Sequence, residues 1–158
     1  MNYHFIHFHD LSLQQLYDIM VLRQRVFVVE QDCAYLDADG RDQAAVHCLA
    51  RATDGSELAA YARLLPRGVA YADYHSIGRI ITAPEVRGTG LGRPLVQACM
   101  NRVQQQFGAG PIKISAQSHL LEFYGSLGFE PVGVEYLEDG IPHRGMVRGA
   151  APSINYLR

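Results

Sequence analysis

The sequence predicts a single α/β domain in which a mixed sheet is covered by helices, and three observations carry that expectation. Aromatic and β-branched runs bounded by turn residues alternate with stretches of helical periodicity, in the order β-α-β-β-β-α-β-α-β-β with one helix interrupted. The longest helix follows a strand directly through a glycine-rich loop, Arg87-Gly88-Thr89-Gly90-Leu91-Gly92-Arg93. The 158 residues, 48% hydrophobic and 19% charged, suffice for one core, and no linker, repeat or low-complexity tract divides them.

Residues 3–8 are short, aromatic and β-prone, a first strand. Ser12 stands at an N-cap position with Gln15 as its capping-box partner. Leu13, Leu16, Tyr17, Met20, Val21, Val26 and Phe27 then carry a helix to about Val28. Residues 30–42 hold five acids and one base, a run that suits a cationic ligand or simply forms an exposed loop. Strands at 46–52 and 57–65 are joined by an Asp54-Gly55 turn. A strand at 74–82 enters the glycine loop. Leu91, Leu95, Val96, Cys99, Met100, Val103 and Phe107 place one apolar face on the helix that follows, and Pro94 fits its first turn, where no donor is lost.

Gly108 to Pro111 end that helix, and 112–116 form a short strand. Ser118 stands where it caps a small helix at 119–127, stopped by Gly128. Strands at 129–136 and 143–148 flank a Glu138-Asp139-Gly140 turn. Residues 1–150 are expected to be the domain and 151–158 a C-terminal tail. The apolar, tyrosine-bearing stretch 152–157 suits docking on its own sheet or on a second subunit, which leaves a homodimer open.

A formal net charge of −2 and a pI near 6.4 speak against a broadly electrostatic nucleic-acid binder. No run reaches the ~18 apolar residues of a membrane span. The N-terminus lacks a signal segment, and Cys33, Cys48 and Cys99 are odd in number and scattered, so reduced thiols in the cytoplasm are expected. No metal is expected. Asp37 to Asp42 faintly follow a calcium loop, but Gly40 comes early, and Cys48 stands at the twelfth position, where a bidentate Glu belongs. His4, His7 and His9 lack a second ligand cluster.

Three glycines at the start of a helix leave backbone N–H groups uncovered where the helix dipole is positive, which makes an anion site, most naturally for phosphate. Arg87 and Arg93 flank it. No Gly-Lys-Ser/Thr follows, so it is not a P-loop. The third glycine falls two residues after the second, which misses the dinucleotide spacing. A tight strand–helix turn needing small residues is the structural alternative.

Arg87-x-x-Gly90-x-Gly92 resembles the pyrophosphate loop of the GNAT acyltransferases, and Phe123-Tyr124-Gly125-Ser126-Leu127-Gly128-Phe129 resembles that family's second landmark at the expected distance. Arg25 to Gln31, Asp39-Gly40, His47, Tyr61-Ala62-Arg63, Ala116 to Leu120 and Asp139 to His143 are similar to its ElaA-type branch. The resemblance implies a GNAT fold with a mostly antiparallel sheet over nearly all residues to about 150. It also implies acetyl-CoA as cosubstrate and acyl transfer to a small-molecule or peptide amine. It assigns Arg87, Gly88, Thr89, Gly90, Leu91, Gly92 and Arg93 to the diphosphate, and the backbone of Ile80 and Ile81 to the pantetheine arm. Gly78 would permit the bulge that frees those backbone groups.

The chemistry then needs a proton acceptor for the amine, donors for the oxyanion and a proton for the leaving thiolate. Tyr124 suits the last role, since a phenol stays protonated at neutral pH; packing beside the coenzyme is its other reading. Glu30 is a candidate base or amine holder, and otherwise a solvated helix-end carboxylate. His47 and His143 are further candidate bases, and otherwise structural histidines. The enzyme reading competes with a non-catalytic acyl-CoA-binding module of the same fold, and with a nucleotide-binding domain.

Overall fold

The computed structural model describes residues 1–149, and the expected tail at 151–158 lies outside them. Seven strands form one sheet: β1 (Asn2–His7), β2 (Val46–Arg51), β3 (Leu58–Leu65), β4 (His75–Thr82), β5 (Ile112–Gln117), β6 (Glu130–Glu138) and β7 (Ile141–Arg148). Their order is β1-β2-β3-β4-β5-β7-β6, and every neighbouring pair is antiparallel except β4 and β5. The helices are α1 (Leu13–Arg23), α2 (Gly92–Phe107) and α3 (Leu121–Gly125).

The central strands are buried on both faces, which is why β2 and β3 read as continuous apolar runs rather than alternating ones. Val46, Cys48, Ala50, Ala60, Ala62 and Leu64 meet Leu95, Val96, Cys99, Met100 and Val103 of α2. Leu49, Leu58, Tyr61 and Ile81 meet Ile19, Leu22 and Val26 on the opposite face. Each fully buried aliphatic side chain contributes about 1.5–3 kcal/mol.

The capping box at Ser12 forms as expected: Gln15 N donates to Ser12 Oγ at 3.0 Å, and Ser12 N to Gln15 Oε1 at 2.8 Å. The buried stripe of α1 is rotated from the most apolar one, however. Leu13 is 89% and Tyr17 68% exposed, while Ile19, Leu22 and even Arg23 are buried. After Arg23 the helix widens into a π-helical segment, Gln24–Glu30, where Gln31 N donates to Val26 O at 3.2 Å and Cys33 N to Val28 O at 3.0 Å. The helical path thus continues to Glu30, a little beyond the expected end near Val28, widened rather than broken.

One local detail differs from expectation. Ser118 caps nothing; its hydroxyl donates to Glu135 Oε2 at 2.8 Å, and a 3-10 turn (Ser118–Leu120) leads into a shorter α3. A polar partner on β6 outcompetes the helix end for that hydroxyl. The last hairpin turns on Asp139 (φ +50°) and Gly140 (φ +77°), the paired left-handed residues of a tight hairpin turn.

The sheet splits at its middle. β4 and β5 pair only at His75↔Ile112 and Ser76↔Lys113, then separate. That fork places the site.

Candidate active site

The fork opens into a cleft of about 1020 Å³. One wall is β4 from Ile77 to Thr82, the other Ile114, Ser115 and Gln117 of β5, and Tyr124 of α3 reaches it from one side. A strap after the π-helical segment, with Cys33, Tyr35, Asp39 and Arg41, covers the opposite side. The strap touches the β6–β7 turn where Cys33 Sγ donates to Asp139 O at 3.3 Å.

β4 leads through a 3-10 turn (Pro84–Val86) into the glycine loop. Gly88 (φ +77°) and Gly90 (φ +80°) occupy the left-handed region, which few other residues enter cheaply. The N–H groups of Gly88, Thr89, Gly90 and Leu91 donate to no partner among the described residues. Leu91 is the N-cap of α2 and offers no side-chain cap, so the N–H groups of the first helical turn remain open as well. The helix start lies beside Phe123: a Cβ on Gly92 would make ordinary contact with the ring, at 3.4 Å. Arg93 Nη2 donates to Ser126 Oγ at 2.5 Å, and Arg87 is ion-paired with Glu30 through both terminal guanidinium nitrogens, Nη2 reaching Oε2 at 3.1 Å. Two residues expected in separate roles, Arg87 and Glu30, thus engage each other.

The bulge expected at Gly78 lies one residue later. Tyr61 pairs with Ile81 and Arg63 with Gly78, so Arg79 and Ile80 stand opposite Ala62 alone. Arg79, not Gly78, takes the left-handed conformation, at φ +49°. A left-handed backbone costs a non-glycine residue about 1–2 kcal/mol. Neither Arg79 nor Ile80 has a partner in β5 either, so their backbone faces the cleft.

Tyr124 is 6% exposed and packs edge-on to Phe123 and Phe129, with ring centroids 5.0 and 6.0 Å away. Burial pushes its phenol up to about 12, so it holds its proton at neutral pH. Its hydroxyl makes no hydrogen bond among the described residues, and the ring lines the cleft.

His143 also lines the cleft. Its Nδ1 donates to Ile141 O at 2.7 Å, leaving Nε2 to face Glu138 Oε2 at 3.4 Å. Tyr136 stacks on the ring, and Ser115 Oγ donates to the same carboxylate at 3.2 Å. His47 is elsewhere. It is wholly buried on the α1 face, with Nδ1 accepting from the Tyr61 hydroxyl at 2.7 Å and Nε2 donating to Asp42 O at 2.9 Å. Burial lowers its pKa, both nitrogens are engaged within the fold, and His47 does not line the cleft that His143 and Tyr124 share.

Three acids of the run, Asp37, Asp39 and Asp42, are engaged by arginines within the fold. Arg23 binds Asp37 (Nε–Oδ2 2.7 Å) and Asp42 (Nη1–Oδ1 2.6 Å), and Arg63 binds Asp39 (2.8 Å) and Asp42 (3.0 Å). Arg79 pairs with Asp37 at 2.8 Å. Burial opposes the charged forms of Asp39 and Asp42, but hydrogen bonds from Arg63 and from Arg23, respectively, lead the forces holding both below the usual carboxylate range. This network was not read from the sequence. Its one signal was an arginine inside each of two central strands, Arg63 and Arg79, which a buried environment tolerates only with acid partners.

Residues 26–149 match the family model described as the acetyltransferase (GNAT) domain. Protein ElaA of Escherichia coli is 40% identical over 143 residues, 90% of this chain and 93% of that protein. Its crystal structure superposes with a TM-score of 0.86 over 94% of this chain and 99% of its own. An acyl-CoA N-acyltransferase from Pseudomonas aeruginosa superposes equally well, with TM-score 0.86 and 38% identity over 94% and 100% of the two chains. An aminoglycoside 6′-N-acetyltransferase solved in complex with coenzyme A has TM-score 0.69 at 17% identity, over 94% and 96%, a likeness of fold alone. With the forked sheet, the glycine loop and these relatives in agreement, the chain belongs to the GNAT acetyltransferase family, in its ElaA-like branch.

Proposed function

We propose that the protein transfers an acetyl group from acetyl-CoA to a primary amine, by direct attack of the amine on the thioester carbonyl through a tetrahedral intermediate. The observation that carries this reading is one cleft lined by the unpaired backbone bulge on β4, by Tyr124 and by Arg87, the residue that opens the glycine loop before the uncapped start of α2. The coenzyme A held by the aminoglycoside acetyltransferase of like fold supports the choice of cosubstrate.

In this reading the N–H groups of Gly88 to Arg93 take the diphosphate, whose charge suits the helix N-terminus. The backbone of Ile80 and Ile81 aligns the pantetheine arm and faces the charge that develops on the carbonyl oxygen. His143 Nε2, its tautomer set by the Ile141 carbonyl, accepts the amine proton directly or through water. The C–N bond forms, the C–S bond breaks, and the thiolate takes the Tyr124 proton. The acceptor is a small-molecule or peptide amine entering beneath the strap, and the setting is the cytoplasm, which suits three free cysteines.

The test is thiol release from acetyl-CoA against polyamines, amino acids, aminoglycosides and lysine peptides. Amine-dependent release establishes the reaction. Coenzyme A binding with no release on any amine favours a non-catalytic acyl-CoA-binding module, and no binding removes the coenzyme role of the loop.

A further inference from the structure

Among the described residues, three non-glycine residues have positive φ, and two of them, Asp32 and Asp139, lie in turns. Arg79 alone of the three lies within a strand. Arginine gains nothing there from its own backbone preference, so its side chain must hold it.

The side chain is held on several sides. Nη2 donates to Asp37 O at 3.0 Å and stands 3.5 Å from Asp39 Oδ2, while Nε lies 2.8 Å from Asp37 Oδ1 with its N–H not aimed at that oxygen. The guanidinium also sits 5.9 and 6.0 Å from the ring centroids of Phe27 and Tyr35. Asp37 is itself buried and clamped. Arg23 Nε donates to its carboxylate at 2.7 Å, Arg23 Nη2 to its carbonyl at 3.1 Å, and the Tyr35 hydroxyl to Oδ1 at 2.9 Å. A rigid chain of contacts therefore runs from α1 through Asp37 to the bulge.

We infer that Asp37, acting through Arg79, holds the β4 bulge in the shape that turns the Ile80 and Ile81 backbone toward the acyl group. Both are positioning residues, and their effect reaches the substrate only through the main chain. The inference rests on the acyl-transfer reading of the cleft.

Arg79→Gly separates anchor from strain, because glycine accepts this backbone conformation freely. Arg79→Gly and Asp37→Asn should each lower turnover of acetyl-CoA with the best amine of the panel by about tenfold or more, since donors aimed at developing charge are lost. Affinity for coenzyme A should stay near the wild-type value, because the diphosphate loop is untouched. Arg79→Lys, which keeps a cation for Asp37, should recover part of the rate. The amide proton–nitrogen resonances of Ile80 and Ile81 should move in the first two variants without any ligand.

Wild-type turnover in Arg79→Gly, or unmoved Ile80 and Ile81 resonances in both variants, overturns the inference. So does a parallel loss of coenzyme A binding, which general loosening of the cleft would produce. If the wild-type chain acetylates no amine, the acyl-transfer reading is what suffers, and the two amide resonances alone decide whether the anchor exists.

Discussion

Arg87 and Glu30, 57 residues apart in sequence, form a two-point ion pair at the mouth of the cleft, Nη1 on Oε1 and Nη2 on Oε2. A second pair, Arg25 with Glu85, ties the same π-helical segment to the turn before the glycine loop. A diphosphate arriving at that loop must compete with Glu30 for Arg87. Exposed pairs contribute roughly 0.2–1 kcal/mol, so Glu30→Gln should tighten coenzyme A binding by about 1.4- to fivefold. The gain should vanish in an Arg87→Gln background, a cycle measurable by calorimetry. A gain that persists without Arg87 would trace to bulk charge instead.

Tyr124→Phe should lower turnover by roughly ten- to hundredfold with coenzyme A affinity nearly unchanged, as loss of a proton donor predicts. Because burial has pushed the phenol up to about 12, the wild-type rate should show no loss from Tyr124 ionisation between pH 7 and 10. Steady-state kinetics with and without the hydroxyl decide this. Unchanged turnover in the variant would make Tyr124 a packing residue.

His143→Gln should cost more turnover at neutral pH than at high pH, where the amine sheds its proton to solvent unaided. Glu138→Gln, which leaves the ring and its Ile141 bond in place, should cost less. A pH–rate series on both variants with one amine is the measurement, and equal losses at every pH would argue against a base at position 143.

Stability should fall in mild acid because of two histidines outside the chemistry. His47 accepts from the Tyr61 hydroxyl, and His75 Nδ1 accepts from Arg67 N at 3.0 Å while its Nε2 donates to Gly108 O at 3.1 Å. Burial lowers the folded pKa of both. The neutral ring is therefore favoured in the fold, and the unfolded chain takes up protons first, near about pH 6.5. Stability is full above that value and declines as pH falls toward the folded pKa, by at most about 1.4 kcal/mol per pH unit for each group. Urea unfolding at pH 7.5 and 5.5 should show the drop, and His75→Gln should show less of it. Asp39 and Asp42, also depressed, add their loss only below the normal carboxylate range near about pH 4.

The elements themselves were legible because their signals are local. The Ser12–Gln15 capping box, the glycines of the loop and the Asp139-Gly140 turn each act over a few residues, and each formed where the sequence placed it. The open helix start was legible too, because the glycines that leave it uncapped stand together in the sequence. The α1 face was misread because apolarity alone ranked Leu13 and Tyr17 above Arg23, while the fold buries Arg23 against two carboxylates.

By itself the sequence determined a one-domain α/β chain with a glycine-rich loop between a strand and a helix. Tertiary structure alone decided how the polar residues were divided. It sent His47 and the acids of the strap into a buried network with three arginines and left His143 and Tyr124 facing the cleft. It also moved the bulge from Gly78 to Arg79. The physical reason is distance. A glycine's freedom belongs to its own backbone, but an arginine's partner is chosen by whichever carboxylate the sheet brings within 3 Å, and Asp37 reaches Arg79 across 42 residues of chain.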